Sequence, residues 1–143
     1  MAKIYVLFNR NRQAAAKIRG GRIEWDQFNS DDPDQRFVLR THQDGGFAIL
    51  KAADETRAWS HANGNDNQKM NVVATNLNDS RQAFTTESQP GFGNLGGLTI
   101  KRANNNGFSL FGLDGSDCPV LKTDSHGTAS EGEAWEFRHV GDK

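Results

Sequence analysis

The sequence is poor in cysteine and proline, with one Cys and three Pro among 143 residues. A single thiol, Cys118, cannot form an internal disulfide, which excludes the disulfide-stapled frameworks typical of small secreted domains. We interpret Cys118 as a small side chain in a partly buried position. A chain of this length can bury roughly two-thirds of its unfolded surface, so a hydrophobic core suffices to hold it together.

Long apolar runs are also missing. The first residues, MAKIYVLFNRNR, contain an apolar run of five residues, which is too short for a signal peptide or a membrane span. We therefore expect a cytoplasmic protein without membrane insertion, and leave release by a non-standard route open.

The chain has no large excess of charge of either sign. Its 17 basic and 18 acidic residues give a net charge of -1 and are scattered along the sequence. Nucleic-acid-binding proteins carry a clustered basic surface. Nucleic acid is therefore not an expected partner.

Catalytic and cofactor motifs are absent as well. The four histidines are widely spaced and fit neither a zinc motif nor a nucleophile motif. The stretch GFGNLGG, residues 91–97, spells G-x-G-x-x-G, but a strand-like run and not a helix follows it, so these glycines are predicted to turn a corner. We expect no enzyme activity, no cofactor and no metal.

What the sequence does contain is glycine, asparagine, aromatic residues and a threefold repeat. Three segments carry a polar residue, a spacer and an aromatic residue: DQRFVLR (Gln35, Phe37), RQAFTTE (Gln82, Phe84) and GEAWEFR (Glu133, Trp135). Strand-like pieces recur in the same order before each one, for example KIYVLFN, GGFAILK and GGLTIKR. Four strands in each of three repeats predict twelve short strands in a closed antiparallel barrel with a cap of hairpins.

This repeat resembles the β-trefoil of the ricin-B-like, or R-type, lectins, with their Gln-x-Trp motif. The predicted fold is all-β, one trefoil domain over residues 1–143, with repeats near 3–43, 44–92 and 93–140. The absence of an export signal makes the chain similar to the cytoplasmic fungal type or a bacterial relative. The resemblance implies a lectin that binds glycans or glycoproteins without catalysis; whether it forms a homodimer stays open.

The same resemblance implies where a sugar would bind: an Asp from the second strand, an aromatic platform after the third strand and polar groups around the Gln. The Asp positions hold Lys17, Ser60 or His61, and Phe111, so no repeat keeps the full set. The candidate contacts are Trp25, Asp26, Asp34 and Gln35 in repeat one, Trp59, His61 and Asn63 in repeat two, and Asp114 in repeat three.

Structural interpretations compete with these assignments. Alternation along RIEWDQF leaves Trp25 as either core or platform, Trp59 fits an inward-facing strand position, and the Gln-x-aromatic residues fit the core better than a ligand contact. We expect unequal lobes, with repeat one ranked first and repeat two second.

Two other functions remain open. A trefoil protease inhibitor would use a loop such as HANGNDNQK or TESQPGFGN, and an actin-bundling type of module has a faint likeness in GGFAILKAAD.

Overall fold

A computed structural model of the chain describes residues 2–61, 68–88, 97–103, 105–123 and 131–143. The described residues form thirteen β-strands and three 3-10 helices, and none of their helices is long and apolar enough to cross a membrane. Repeat one contains β1 (Lys3–Asn9), β2 (Ala14–Arg19), β3 (Arg22–Asp26) and β4 (Phe37–Thr41). Repeat two contains β5 (Phe47–Lys51), β6 (Asp54–Ser60), β7 (Gln68–Lys69), β8 (Asn71–Ala74) and β9 (Phe84–Ser88). Repeat three contains β10 (Leu98–Arg102), β11 (Asn105–Phe111), β12 (Val120–Thr123) and β13 (Trp135–Asp142). The 3-10 helices are Pro33–Gln35, Ser80–Gln82 and Glu131–Glu133.

The first and last strands of the three repeats close a barrel. β1 pairs with β4, β4 with β5, β5 with β9, β9 with β10, β10 with β13, and β13 returns to β1. The remaining strands form one hairpin per repeat, and β3–β8 and β12–β7 pairings join these hairpins into a cap. A barrel with a cap of three hairpins is the β-trefoil, so the predicted fold class is confirmed.

Thirteen strands appear where twelve were predicted, because the third strand of repeat two is split at Met70. Its two parts pair with different partners, β7 with β12 and β8 with β6 and β3. Met70 lies between them, donates its N–H to the Pro119 carbonyl at 3.3 Å and buries its side chain in the core.

Of the corner predicted between repeats two and three, only the last glycine, Gly97, lies within the described residues. Gly91, Gly93 and Gly96 lie outside the described residues, but β10 begins directly after Gly97. Gly97 has φ +117, and a Cβ there would lie 2.6 Å from the Trp135 carbonyl oxygen, so only glycine fits. A strand, and not a helix, follows the glycine-rich segment.

The closing motif of repeats one and two is a hydrogen-bonded buried glutamine. Gln35 donates Nε2 to the Gln27 carbonyl at 2.8 Å and accepts the Asn29 N–H at 2.9 Å. Gln82 does the same with the Ala74 carbonyl at 3.0 Å and the Asn76 N–H at 2.9 Å. Each amide thus holds the turn between the third strand and the 3-10 helix against the barrel.

The aromatic residue of each motif fills the core. Phe37, Phe84 and Trp135 are fully buried in one cluster that spans all three repeats. Behind them, one cross-strand pair per hairpin supplies further volume: Ala16–Trp25, Trp59–Val72 and Leu110–Leu121. The tryptophan thus stands on opposite strands of the hairpin in repeats one and two, and two leucines replace it in repeat three.

Changing Gln82 to Glu is expected to destabilise the protein by about 1–2 kcal/mol, because a carboxylate cannot donate the bond to the buried Ala74 carbonyl. Urea unfolding measures the effect. The exposed Gln43→Glu makes the same change of charge and should cost under about 0.5 kcal/mol. Equal losses in the two variants would show that charge, and not the lost donor, is responsible.

Candidate functional site

Among the predicted polar residues of repeat one, Asp26 is held by a lysine. Lys17 on β2 lies 3.2 Å from an Asp26 carboxylate oxygen and 2.9 Å from one of Asp32. These ion pairs fill the place where the lectin resemblance implies a free carboxylate on the second strand. In repeat one, the carboxylates of Asp26 and Asp32 are therefore both engaged in ion pairs with Lys17.

The charges of this cluster stabilise one another. Hydrogen bonds to Asp32 and then to Asp26 raise the pKa of Lys17. The bond from Lys17 holds the pKa of Asp32 below its usual value, and the Gln27 N–H and then Lys17 do the same for Asp26. A sugar hydroxyl that binds Asp26 would compete with these bonds.

The other candidates of repeat one are also engaged within the protein. Asp34 lies 3.0 Å from the Lys51 ammonium group. Trp25 is half-buried; its ring centroid lies 5.5 Å from that of Trp135, and its Nε1 donates to Ser116 Oγ at 3.3 Å. Gln35 is fully buried, and both ends of its amide bond to backbone, so its predicted role as a sugar contact is corrected to a structural one.

Two candidates of repeat two lie in the interior. Trp59 is 0% exposed and packs edge-on against Phe37 at a centroid distance of 5.3 Å. His61 is 4% exposed and packs edge-on against Phe84 at 5.6 Å. Both assignments as ligand contacts are corrected, since a buried ring presents no face to a ligand. Asn63 lies outside the described residues.

The buried His61 has a strongly shifted pKa. Among the described residues, neither ring nitrogen has a partner at hydrogen-bond geometry. Burial first, and the charge of Arg102 second, lower the pKa of His61 to about 4. The ring is therefore neutral at pH 7 and serves as a core side chain.

An open groove lies on repeat two between β6, β8 and the 3-10 helix Ser80–Gln82. It encloses about 550 Å³. Its lining combines hydroxyl, amide, carboxylate and guanidinium groups with aliphatic surface: Ser60, Asn71, Val73, Ala74, Thr75, Asn76, Asp79, Arg81 and Gln82. Val73 is 38% exposed and stands where β3 carries Asp26, because each pairs with the equivalent alanine of its hairpin.

One side of the groove is fixed by Asp79 and Arg81. Asp79 caps the 3-10 helix by accepting the Arg81 N–H at 3.0 Å, and its two oxygens each accept a guanidinium bond at 3.0 Å. These bonds keep the pKa of Asp79 below its usual value. The Arg81 side chain is 56% exposed and so reaches solvent at the groove.

Sequence reasoning missed most of this groove. A usable signal was present, since an Asp stands three residues before the Gln in both repeats, Asp32 and Asp79, and Asp is a favoured cap. Val73 gave no signal, because its exposure depends on the pairing of β8 and not on its residue type.

Repeat three brings Asp114 to the surface of a turn. Asp114 accepts a 2.9 Å bond from Asn11, which also donates to the Gly112 carbonyl at 2.7 Å. The contact joins the turn to repeat one.

The segments behind the rival functions are placed only in part. Residues 62–67 of HANGNDNQK and 89–94 of TESQPGFGN are outside the described residues. GGFAILKAAD contains β5, with Ala48, Ile49 and Leu50 in the core. Where the chain is described, no three His, Cys, Asp or Glu side chains group to hold a metal ion.

Comparison with known proteins identifies the fold and no family. No protein-family model matches the chain, and no curated protein matches its sequence. Solved structures do match. The designed threefold-symmetric protein ThreeFoil is 15% identical with a TM-score of 0.72, over 94% of this chain and 97% of that one.

Two natural proteins show the same likeness. The Rhizoctonia solani agglutinin is 16% identical with a TM-score of 0.71, over 97% of this chain and 96% of that one. The GlcNAcα1-4Gal-releasing endo-β-galactosidase from Clostridium perfringens is 7% identical with a TM-score of 0.77, over 96% of this chain but 32% of that one. At such identities the likeness shows the β-trefoil fold alone.

Proposed function

We propose that the chain is a carbohydrate-binding protein without catalytic activity and that the groove of repeat two is its binding surface. The observation that carries the proposal is the exposed Val73 side chain beside a set of polar groups in an open groove. A sugar presents C–H surface and hydroxyl groups together, and such a lining complements both.

The choice of repeat two rests on a comparison of the lobes. At the place of Lys17 in repeat one, repeat two has Ser60, and at the place of Asp26 it has Val73. Repeat two therefore lacks the ion pairs that close repeat one. This reverses the ranking expected from the sequence.

Binding without hydrolysis is supported by the carboxylates of the groove. Glycosidases generally use two carboxyl groups on either side of the scissile bond. The described lining of the groove contains one, Asp79, and both of its oxygens are bonded to Arg81. The agglutinin and the endo-β-galactosidase support the proposal of carbohydrate binding through their fold alone.

A glycan array followed by titration of the best glycan tests the proposal. Val73→Glu places a charge on the aliphatic surface and is expected to weaken binding at least tenfold, a change of about 1.4 kcal/mol. Asp26→Ala and Asp114→Ala alter the other two lobes and should leave the affinity within about threefold of the parent.

The midpoint of thermal unfolding of each variant distinguishes loss of the binding site from damage to the core. If Asp26→Ala or Asp114→Ala abolishes binding while the midpoint stays unchanged, the site lies in another lobe and the assignment to repeat two is wrong. A blank array together with nanomolar inhibition of a protease would refute carbohydrate binding and favour the inhibitor.

A further inference from the structure

A small pocket lies between β1, the end of the first 3-10 helix and the turn that joins β5 to β6. It has a volume of about 150 Å³ and is lined by Ile4, Pro33, Arg36, Ala52 and Ala53. The Ala52 N–H donates to the Arg36 carbonyl at 2.9 Å, which fixes the turn of repeat two against the helix end of repeat one. We call this site the Arg36 pocket.

The accessible walls of the Arg36 pocket are apolar. Pro33 and Ala53 are exposed residues, whereas Ile4 and Ala52 belong to a buried cluster and are 7% and 6% exposed. A ligand can therefore place a short aliphatic part against Pro33 and Ala53. A cavity of about 150 Å³ is known to hold benzene, which limits such a ligand to about six non-hydrogen atoms.

The lining carries one charge, the guanidinium of Arg36. The residue is half-buried, and among the described residues its buried Nε has no hydrogen-bond partner. The described lining contains no carboxylate. A guanidinium stays protonated in a protein, and a buried charge without an acceptor costs free energy. Because the charge is delocalised over the whole group, an anion that reaches the Nη atoms from the pocket would offset this cost.

The carboxylates near this guanidinium have other partners. Asp34, two residues before the arginine, has a carboxylate oxygen 3.0 Å from Lys51 Nζ. Asp142 has one 2.9 Å from His139 Nε2. The residue before it, Gly141, lies so close to the guanidinium that a Cβ there would be 2.7 Å from Nη2. In the part of the chain that the structure describes, neither carboxylate pairs with the arginine, so an acceptor can come from a ligand.

We infer that the Arg36 pocket binds a short aliphatic carboxylate, for which propionate is the probe. The carboxylate pairs with the planar guanidinium of Arg36, whose geometry matches it, and the alkyl part lies against Pro33 and Ala53. One guanidinium balances one negative charge, which favours a monoanion over phosphate. The pocket shares no lining residue with the groove of repeat two, so the inference does not depend on the carbohydrate proposal.

The Nε–H resonance of Arg36 provides a local NMR probe. Titrations with propionate, the neutral isostere propionamide and phosphate are compared at an ionic strength of about 0.15 M, where the Debye length is about 8 Å. We expect propionate to shift this resonance in a saturable manner, with an affinity at least tenfold above that of propionamide and threefold above that of phosphate. Saturating propionate should also raise the midpoint of thermal unfolding, because it binds the folded state.

Three variants separate charge, space and net charge, with the backbone amide resonances of Ala52 and Ala53 as a common probe. Arg36→Gln removes the charge and should weaken propionate binding at least tenfold. Ala53→Leu fills the pocket, keeps the arginine and should weaken binding at least fivefold. Lys3→Gln removes a positive charge from an exposed residue next to Ile4 that does not line the pocket, and should change the affinity less than twofold.

Three results would overturn the inference. The first is an Arg36 resonance that propionate does not move, and the second is propionamide or phosphate binding as tightly as propionate. The third is equal losses in Lys3→Gln and Arg36→Gln, which would show that net charge alone attracts the ligand. If Arg36→Gln does not fold, Ala53→Leu provides the test, because unchanged affinity in that variant would place the ligand outside the pocket.

Discussion

His61→Leu is expected to abolish a loss of about 3 kcal/mol in the free energy of unfolding that His61 causes between neutral pH and pH 4. In the folded protein the pKa of His61 is lowered to about 4, whereas an unfolded chain leaves histidine near 6.5. The unfolded state therefore binds the proton first as the pH falls. Stability is unaffected by this group above about pH 6.5 and is lost progressively between about pH 6.5 and 4.

The leucine variant should also be more stable than the parent at pH 7.5, because it removes two buried ring nitrogens that have no hydrogen-bond partner in the part of the chain that the structure describes. The position tolerates an aliphatic side chain by analogy with repeat one. His61 follows Ser60 in repeat two as Ile18 follows the equivalent Lys17 in repeat one. Ile18 is 3% exposed, so this position already holds an aliphatic side chain in the core.

His61→Gln separates the two effects. Glutamine does not titrate, so it should remove the pH dependence, but it keeps a polar group in the core and should not gain stability at pH 7.5. Urea unfolding from pH 4 to 7.5 measures all three proteins. If the parent and both variants lose stability in parallel as the pH falls, His61 is not the source of the acid sensitivity.

Trp59→Ala is expected to cost about 4 kcal/mol, which places it among the most damaging substitutions in the chain. The ring is 0% exposed, contacts Phe37 and stands opposite Val72 in the hairpin of repeat two. The small alanine leaves a cavity that the closed barrel cannot collapse to fill. Thermal or urea unfolding measures the loss.

The pair Trp59→Leu with Val72→Leu provides the matched control. It reproduces the Leu110–Leu121 pair of repeat three and redistributes the volume across the two strands. It also removes the buried Trp59 Nε1 donor, which has no hydrogen-bond partner among the described residues. We expect the double variant to lose less than about 2 kcal/mol. A loss equal to that of Trp59→Ala would show that the pairs do not exchange volume.

The fold could be predicted because the same motif and the same order of strand-like segments recur three times in the sequence. Gln35 and Gln82 recur with the same spacing from the strands that they hold, and a buried aromatic residue follows each of them. Strand order and turn chemistry are local properties, and the sequence displays them directly. The split at Met70 was missed, because it depends on which neighbouring hairpin each half of the strand meets.

The candidate sites were harder to predict, because alternation along a strand says which residues share a face and not which face is buried. Trp25 and Trp59 illustrate the difficulty: both are tryptophans on cap hairpins, yet one lies half-exposed over the core and the other lies inside it. The Lys17 ion pairs arise from residues 9 and 15 positions apart, which no short motif records.

The alternation of large and small partners among Ala16–Trp25, Trp59–Val72 and Leu110–Leu121 has an evolutionary consequence. All six side chains pack in or against one core, so a change of size in one hairpin alters which residues the other two can accept. Among homologous sequences these six positions should vary in a correlated way, with total volume kept while its distribution drifts. A perfectly symmetric descendant would therefore require coordinated changes in all three repeats, not the copying of any one of them.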